Sequence, residues 1–203
     1  MKMQAKVGEQ ILANGSDSDL RSDKTGALVV TQGHSKFQEQ VLAGNVFIGS
    51  NLGGTPVTTQ AGLSVTTPAL TLYNPVGSGI NLVLVSITID ITTSPAAAAG
   101  LMLCYNLASA AAPTLTTLAN VTNALLGTGK LPIGQCARVS TLATAPLALK
   151  FLGGTTGAAG VGGVQLINKV EGEVVVGPGV AVSIQATSAA AILASFTWEE
   201  VAI

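Results

Sequence analysis

Few side chains in this 203-residue chain are equipped for chemistry, and their spacing decides what they could do. His34 is the one histidine. Alone it cannot make a histidine-based metal site, and no cysteine or carboxylate cluster at ligand spacing surrounds it. A Ser–His–Asp triad would need a reason to single out one serine, and no G-x-S-x-G elbow supplies it. The expectation for His34 is an exposed or capping side chain. Glu171 and Glu173 would share a face if their segment were a strand, as a glycosidase carboxylate pair requires. VEGEV instead reads as a turn leading into a strand, where acidic groups are solvated. Glu199 and Glu200 point to opposite faces if extended and cannot act as a pair.

Phosphate chemistry fails on the same test. GTGK at 127–130 is followed by Leu131 and Pro132, and Ala124 stands where a Walker motif has its first glycine. GGTTGAAGVGG, residues 153 to 163, has no lysine and opens no helix; it reads as a flexible loop. Cys104 and Cys136 form no CxxC and have no histidine nearby; they could form one disulfide, and buried free thiols are the favoured expectation. The sequence therefore predicts no catalytic residue, no cofactor and no metal ligand, and a protein that is not an enzyme.

The elements that would carry such residues are strands. From Asn45 onward, runs rich in Val, Ile and Thr alternate with turn signals. VFIGSN, two fragments within LSVTTPALTLYNP, INLVLVSITIDITTSP, LMLCYNL, QCARVSTL, PLALKFL, EVVV, VAVSIQA and AILASFTWEEV read as strands. In SITIDIT, Ile87, Ile89 and Ile91 alternate with Ser86, Thr88, Asp90 and Thr92, the pattern of one buried and one wetter face. Phe196 and Trp198 point one way and Thr197 the other. Gly177-Pro178-Gly179 predicts a tight turn. Residues 113–129 read as a loop with a helical turn. Helical periodicity occurs once, at Ser35–Gly44. There Ser35 is the expected N-cap with Gln38 completing a capping box, Phe37, Val41 and Leu42 share a face, and Gly44 stands at the C′ position. Eight or nine short strands with turns between them predict an all-β fold of antiparallel strands, an antiparallel β-sandwich or a barrel, rather than βαβ units.

Composition adds a constraint on the exterior. Charged residues are only 9 % of the chain, against an ordinary value of about 25 %. A free monomer normally keeps itself soluble with charge, so a surface this neutral predicts coverage by other chains, the alternative being a Thr/Ser/Asn exterior on an extracellular β protein. Ten of the nineteen charged residues lie in the first forty positions, and Asp90 is the only one between Asn51 and Gly129. This divides the chain into an N-terminal arm with a short helix, 1–44, and a sandwich body, 45–203. The net charge of −1 gives no electrostatic case for nucleic acid or an anionic membrane as partner. The N-terminal stretch has no apolar core of a secretory signal, and the Ala-rich 95–113, broken by Gly100, is a poor membrane span.

Three phrases carry a resemblance. TLYNPVGSGINLVL (71–84) is similar to a strand, Asn-Pro, Gly-Ser-Gly turn and long strand found in bacteriophage structural proteins. EGEVVVGPGVAVSIQATSAAAILASFTWEEV (171–201) resembles the closing hairpin and last strand of jelly-roll virion proteins. RSDKTGALVVTQGHSKFQEQVLAGNVFIGSN resembles their leading part. The resemblance implies a jelly-roll-like head decoration, or cement, protein of a phage capsid. Such a protein would be a homotrimer on the virion surface, with itself and the major capsid protein as partners. A tail, fibre-base or receptor-binding component is the alternative. A hydrolase on a jelly-roll scaffold would need the carboxylate or metal cluster that is missing. The expected contact residues are Leu28, Val29 and Val30, in a strand donated to a neighbour's sheet edge, and Phe37, Val41 and Leu42, on the apolar face of the helix.

Overall fold

The computed structural model describes residues 36–51, 55–93, 95–107, 111–157 and 164–203. Leu28, Val29, Val30, His34 and Ser35 lie outside the described residues. The chain divides into two compact units, Met1–Glu39 and Gln40–Ile203. In the described part of the first, the Lys36 ammonium stands over the Phe37 ring, 5.4 Å from its centroid.

Helix α1 spans Gln38–Leu42, shorter than the expected Ser35–Gly44. It is little more than one turn, and none of its residues is buried. Phe37 and Val41 are half-buried and Leu42 is exposed. Its end is as expected: Gly44 adopts φ +70° and donates to the Val41 carbonyl at 2.9 Å.

Thirteen strands follow among the described residues: β1 Val46–Ser50, β2 Val57–Thr58, β3 Leu70–Tyr73, β4 Ile80–Thr93, β5 Ala99–Leu107, β6 Thr114–Leu118, β7 Asn120–Asn123, β8 Gln135–Thr141, β9 Leu147–Thr155, β10 Val164–Lys169, β11 Val175–Val176, β12 Val180–Ala186 and β13 Ala191–Ala202. They form two antiparallel sheets packed as a sandwich. The first has the order β10-β4-β13-β1-β7, with β11 also on β4 and β2 on β13; the second is β6-β8-β3-β12-β5-β9. Four antiparallel pairs nest around the β5–β9 connection: β1 with β13, β3 with β12, β4 with β10, and β5 with β9. That nesting makes the sandwich jelly-roll-like.

Two expectations are corrected. Residues 113–129 are not a loop with a helical turn: they contain β6 and β7, which pass from the second sheet to the first across Ala119 and extend both. Single-sequence periodicity missed them because TLTTL and NVTN are lateral edge strands with little buried surface. The Gly-rich loop begins later than residue 153, because Gly153, Gly154 and Thr155 continue β9 along β5.

The core follows the alternation. Ile87, Ile89 and Ile91 are fully buried, while Ser86, Thr88, Asp90 and Thr92 are half-buried on the opposite face. The 14-residue β4 and 12-residue β13 form the central pair, and β13 turns Phe196 and Trp198 inward. Trp198 stacks on Phe47 with centroids 6.0 Å apart. Gly49 permits this: a Cβ there would stand 2.8 Å from Cys136 Sγ and 3.1 Å from Trp198 Cζ3. The predicted tight turn forms between β11 and β12, with Gly179 at φ +79°.

Candidate interaction surface

The residues considered for chemistry do not come together. Glu171 lies in a turn at φ +51°, not in a strand, and Glu173 forms an ion pair with Lys150 of β9. Both acids tie the β10–β11 turn to its surroundings: Glu171 N–H reaches the Val85 carbonyl at 2.8 Å. Glu199 lies beside Val46 and Val83 on the outer face of the first sheet, and partial burial pushes its carboxyl above the ordinary 4.5. Glu200 is on the other face and has a structural task. Its carboxylate accepts the N–H groups of Ile133 and Gly134, each at 2.9 Å, and the Trp198 indole N–H at 3.4 Å. Only the i, i+2 spacing of Trp198 and Glu200 hinted that the two share a face.

Cys104 and Cys136 are free and buried, as expected. Burial pushes Cys104 up to about 11 and Cys136 up to about 12. They sit on β5 and β8, three strand spacings apart, or roughly 14 Å, far beyond disulfide reach. Among the described residues no cluster of three His, Cys, Asp or Glu could hold a metal, and no helix is long and apolar enough to cross a membrane.

The exterior is instead organised as surfaces. The outer face of the second sheet is closed over. Thr71, Cys104, Ala137 and Ser183 form a row of fully buried small residues on it. Thr71 and Ser140 hydroxyls meet at 2.7 Å, Gln185 donates to the Ser64 carbonyl at 3.2 Å, and Asn106 donates to the Thr144 carbonyl at 2.7 Å. The outer face of the first sheet is largely half-buried and nearly neutral among the described residues. Ile48, Ser50, Thr88, Ser195, Thr197 and Ile167 make its middle, with Asp90 the acidic exception among them.

Apolar side chains concentrate at the two lateral edges. Where the chain crosses from β6 to β7, a groove of 600 Å³ is lined by Leu115, Leu118, Val121, Leu131 and Pro132 among others. Leu118 is 64 % exposed and Leu131 81 %. At the opposite edge, β9 leaves Leu147, Leu149 and Phe151 in water, Phe151 at 77 %. Leu149 also borders a groove of 330 Å³ that opens toward Tyr105 and Val182 between the sheets. Of the expected contact residues, Phe37, Val41 and Leu42 are described and bury little, while Leu28, Val29 and Val30 fall outside. The edge residues were not anticipated. Part of the signal was present in PLALKFL, where Leu147, Leu149 and Phe151 alternate along one face of the strand.

No protein-family model, no curated protein and no solved structure matches this chain.

Proposed function

We propose that this protein is a non-enzymatic structural component of a virus particle, one that decorates and stabilises a phage capsid through protein–protein contacts. The observation that carries the proposal is the apolar surface left in water at both lateral edges of a sandwich, including Leu118, Leu131 and Phe151. A soluble monomer seldom exposes such groups in clusters, whereas a protein that meets neighbours on several sides needs them. The low charge of the chain supports the same conclusion. A two-layer sandwich with a continuous core between its sheets is suited to bearing load between neighbours. The partners are further copies of the chain, as a homotrimer, and the major capsid protein, on the outer surface of the virion.

Electron microscopy of intact particles carrying this chain tests the proposal. Density for the sandwich on the head surface is expected. Density confined to the tail would replace it with the tail or fibre alternative, and absence from the particle would overturn both. Deleting residues 1–33 tests the arm as an anchor: particle binding should fall at least tenfold, and undiminished binding would exclude that role.

A further inference from the structure

Ala124–Gly134, between β7 and β8, runs along one lateral edge of the sandwich with little beneath it. Leu126 and Leu131 are 79 % and 81 % exposed, and Ile133 is exposed as well. A side chain added at Gly127 or Gly129 would meet nothing within 4 Å. The bonds inside the segment are local: Leu125 N–H to Asn123 Oδ1 at 2.8 Å, Thr128 N–H to Leu125 O at 3.3 Å, and Lys130 N–H to Thr128 Oγ1 at 3.4 Å. Past its root at Ala124, two polar tethers fasten it to the body among the described residues. Lys130 Nζ donates to Asn45 Oδ1 at 2.6 Å. Glu200 accepts Ile133 N–H at 2.9 and 3.2 Å on its two oxygens and Gly134 N–H at 2.9 Å. Gly134 is the seat of the segment: a Cβ there would stand 2.9 Å from Leu82 Cδ1 and 3.3 Å from Trp198 Nε1.

We propose that Ala124–Gly134 is a strap that opens as a unit and is held shut chiefly by the Glu200 carboxylate. Bonds with an ionised partner are roughly twice as strong as neutral ones, which sets both tethers above the local turns, and Glu200 is the larger because it accepts two backbone N–H groups where Lys130 reaches one side-chain oxygen. A segment with few buried apolar contacts opens at the low end of the molecule's local stabilities. Leu131, Pro132 and Gly134 form one wall of the 600 Å³ groove, so opening the strap reshapes that groove and uncovers the indole edge of Trp198. Glu200 is therefore a positioning residue for an adaptable apolar surface at this edge of the sandwich.

Hydrogen exchange read by mass spectrometry on the full chain tests the strap, with acrylamide quenching of Trp198, the only tryptophan, as an independent readout. In Glu200→Gln, exchange of the amides of 125–134 should rise about tenfold to a hundredfold, and Trp198 quenching should rise. Exchange in β4 and β13 should stay as in the wild type. Gly134→Ala, which lifts the seat by a steric clash and leaves the carboxylate in place, should give the same local pattern. Unchanged strap exchange in both variants would overturn the proposal. So would a rise of equal size in β4 and β13, which would make Glu200 a part of the global fold rather than a latch.

Discussion

The side-chain amide of Asn74 donates to the carbonyl of Val176, 102 residues later, at 2.8 Å, and to the carbonyl of Ile80 at the same distance. Asn74 is fully buried, its N–H reaches the Val180 carbonyl and its own carbonyl accepts from Gly179. One residue thus joins the end of β3, the start of β4 and the β11–β12 turn. Asn74→Ala leaves the buried Val176 carbonyl without this donor and the Ile80 carbonyl with only the Ser78 hydroxyl, at 3.3 Å, at a cost of about 1–3 kcal/mol in all. The urea midpoint should drop with the slope unchanged. A midpoint within error of the wild type would show that water replaces the amide at no cost.

Gly49→Ala forces a methyl against Cys136 and Trp198 and should destabilise by about 1–3 kcal/mol. The clash is specific, so adding Cys136→Ala should recover part of the loss, and the double variant should be less destabilised than the two single changes together. Additive losses in denaturation curves would mean that the strand backbone, not Cys136, takes up the strain.

Both thiols are held protonated by burial, Cys104 at about 11 and Cys136 at about 12. The thiolate is the reactive form, so the folded protein at pH 8 should react with a thiol reagent only as fast as it opens. In denaturant two equivalents should appear at once. Rapid reaction of the folded chain at either site would contradict the packing around it.

Partial burial raises the Glu199 carboxyl above 4.5, so the folded state holds its proton more tightly than the unfolded chain does. That contribution is fully present below the unfolded value and is lost as pH rises through the folded one. Glu199→Gln, which stays neutral, should therefore raise the melting temperature at pH 7 and have little effect at pH 3. A lower melting temperature at pH 7 would reverse the sign of this account.

Much of the fold was legible because its signal is local. Ile87, Ile89 and Ile91 declared the buried face of β4 by alternation alone, and Gly177-Pro178-Gly179 declared its turn. The sandwich and the free cysteines follow from such signals. The β6–β7 crossover did not declare itself, because edge strands bury one side weakly and the partner of β7 lies far along the chain, as in Val121 against Gly49. The task of Glu200 was invisible for a related reason. A carboxylate that accepts backbone N–H groups 66 and 67 residues away leaves no pattern in its own neighbourhood. The contact surface was placed in the arm and helix, while the described apolar exposure lies mainly on the flanks of the sandwich, where register rather than composition decides which side chains are left outside.

We propose that this molecule works by association with copies of itself and with a shell. Light scattering coupled to size-exclusion chromatography, on the full chain at micromolar concentration, tests it most directly. A particle of three times the 20.2 kDa chain mass is expected. A single species of 20.2 kDa that persists as concentration is raised would contradict it.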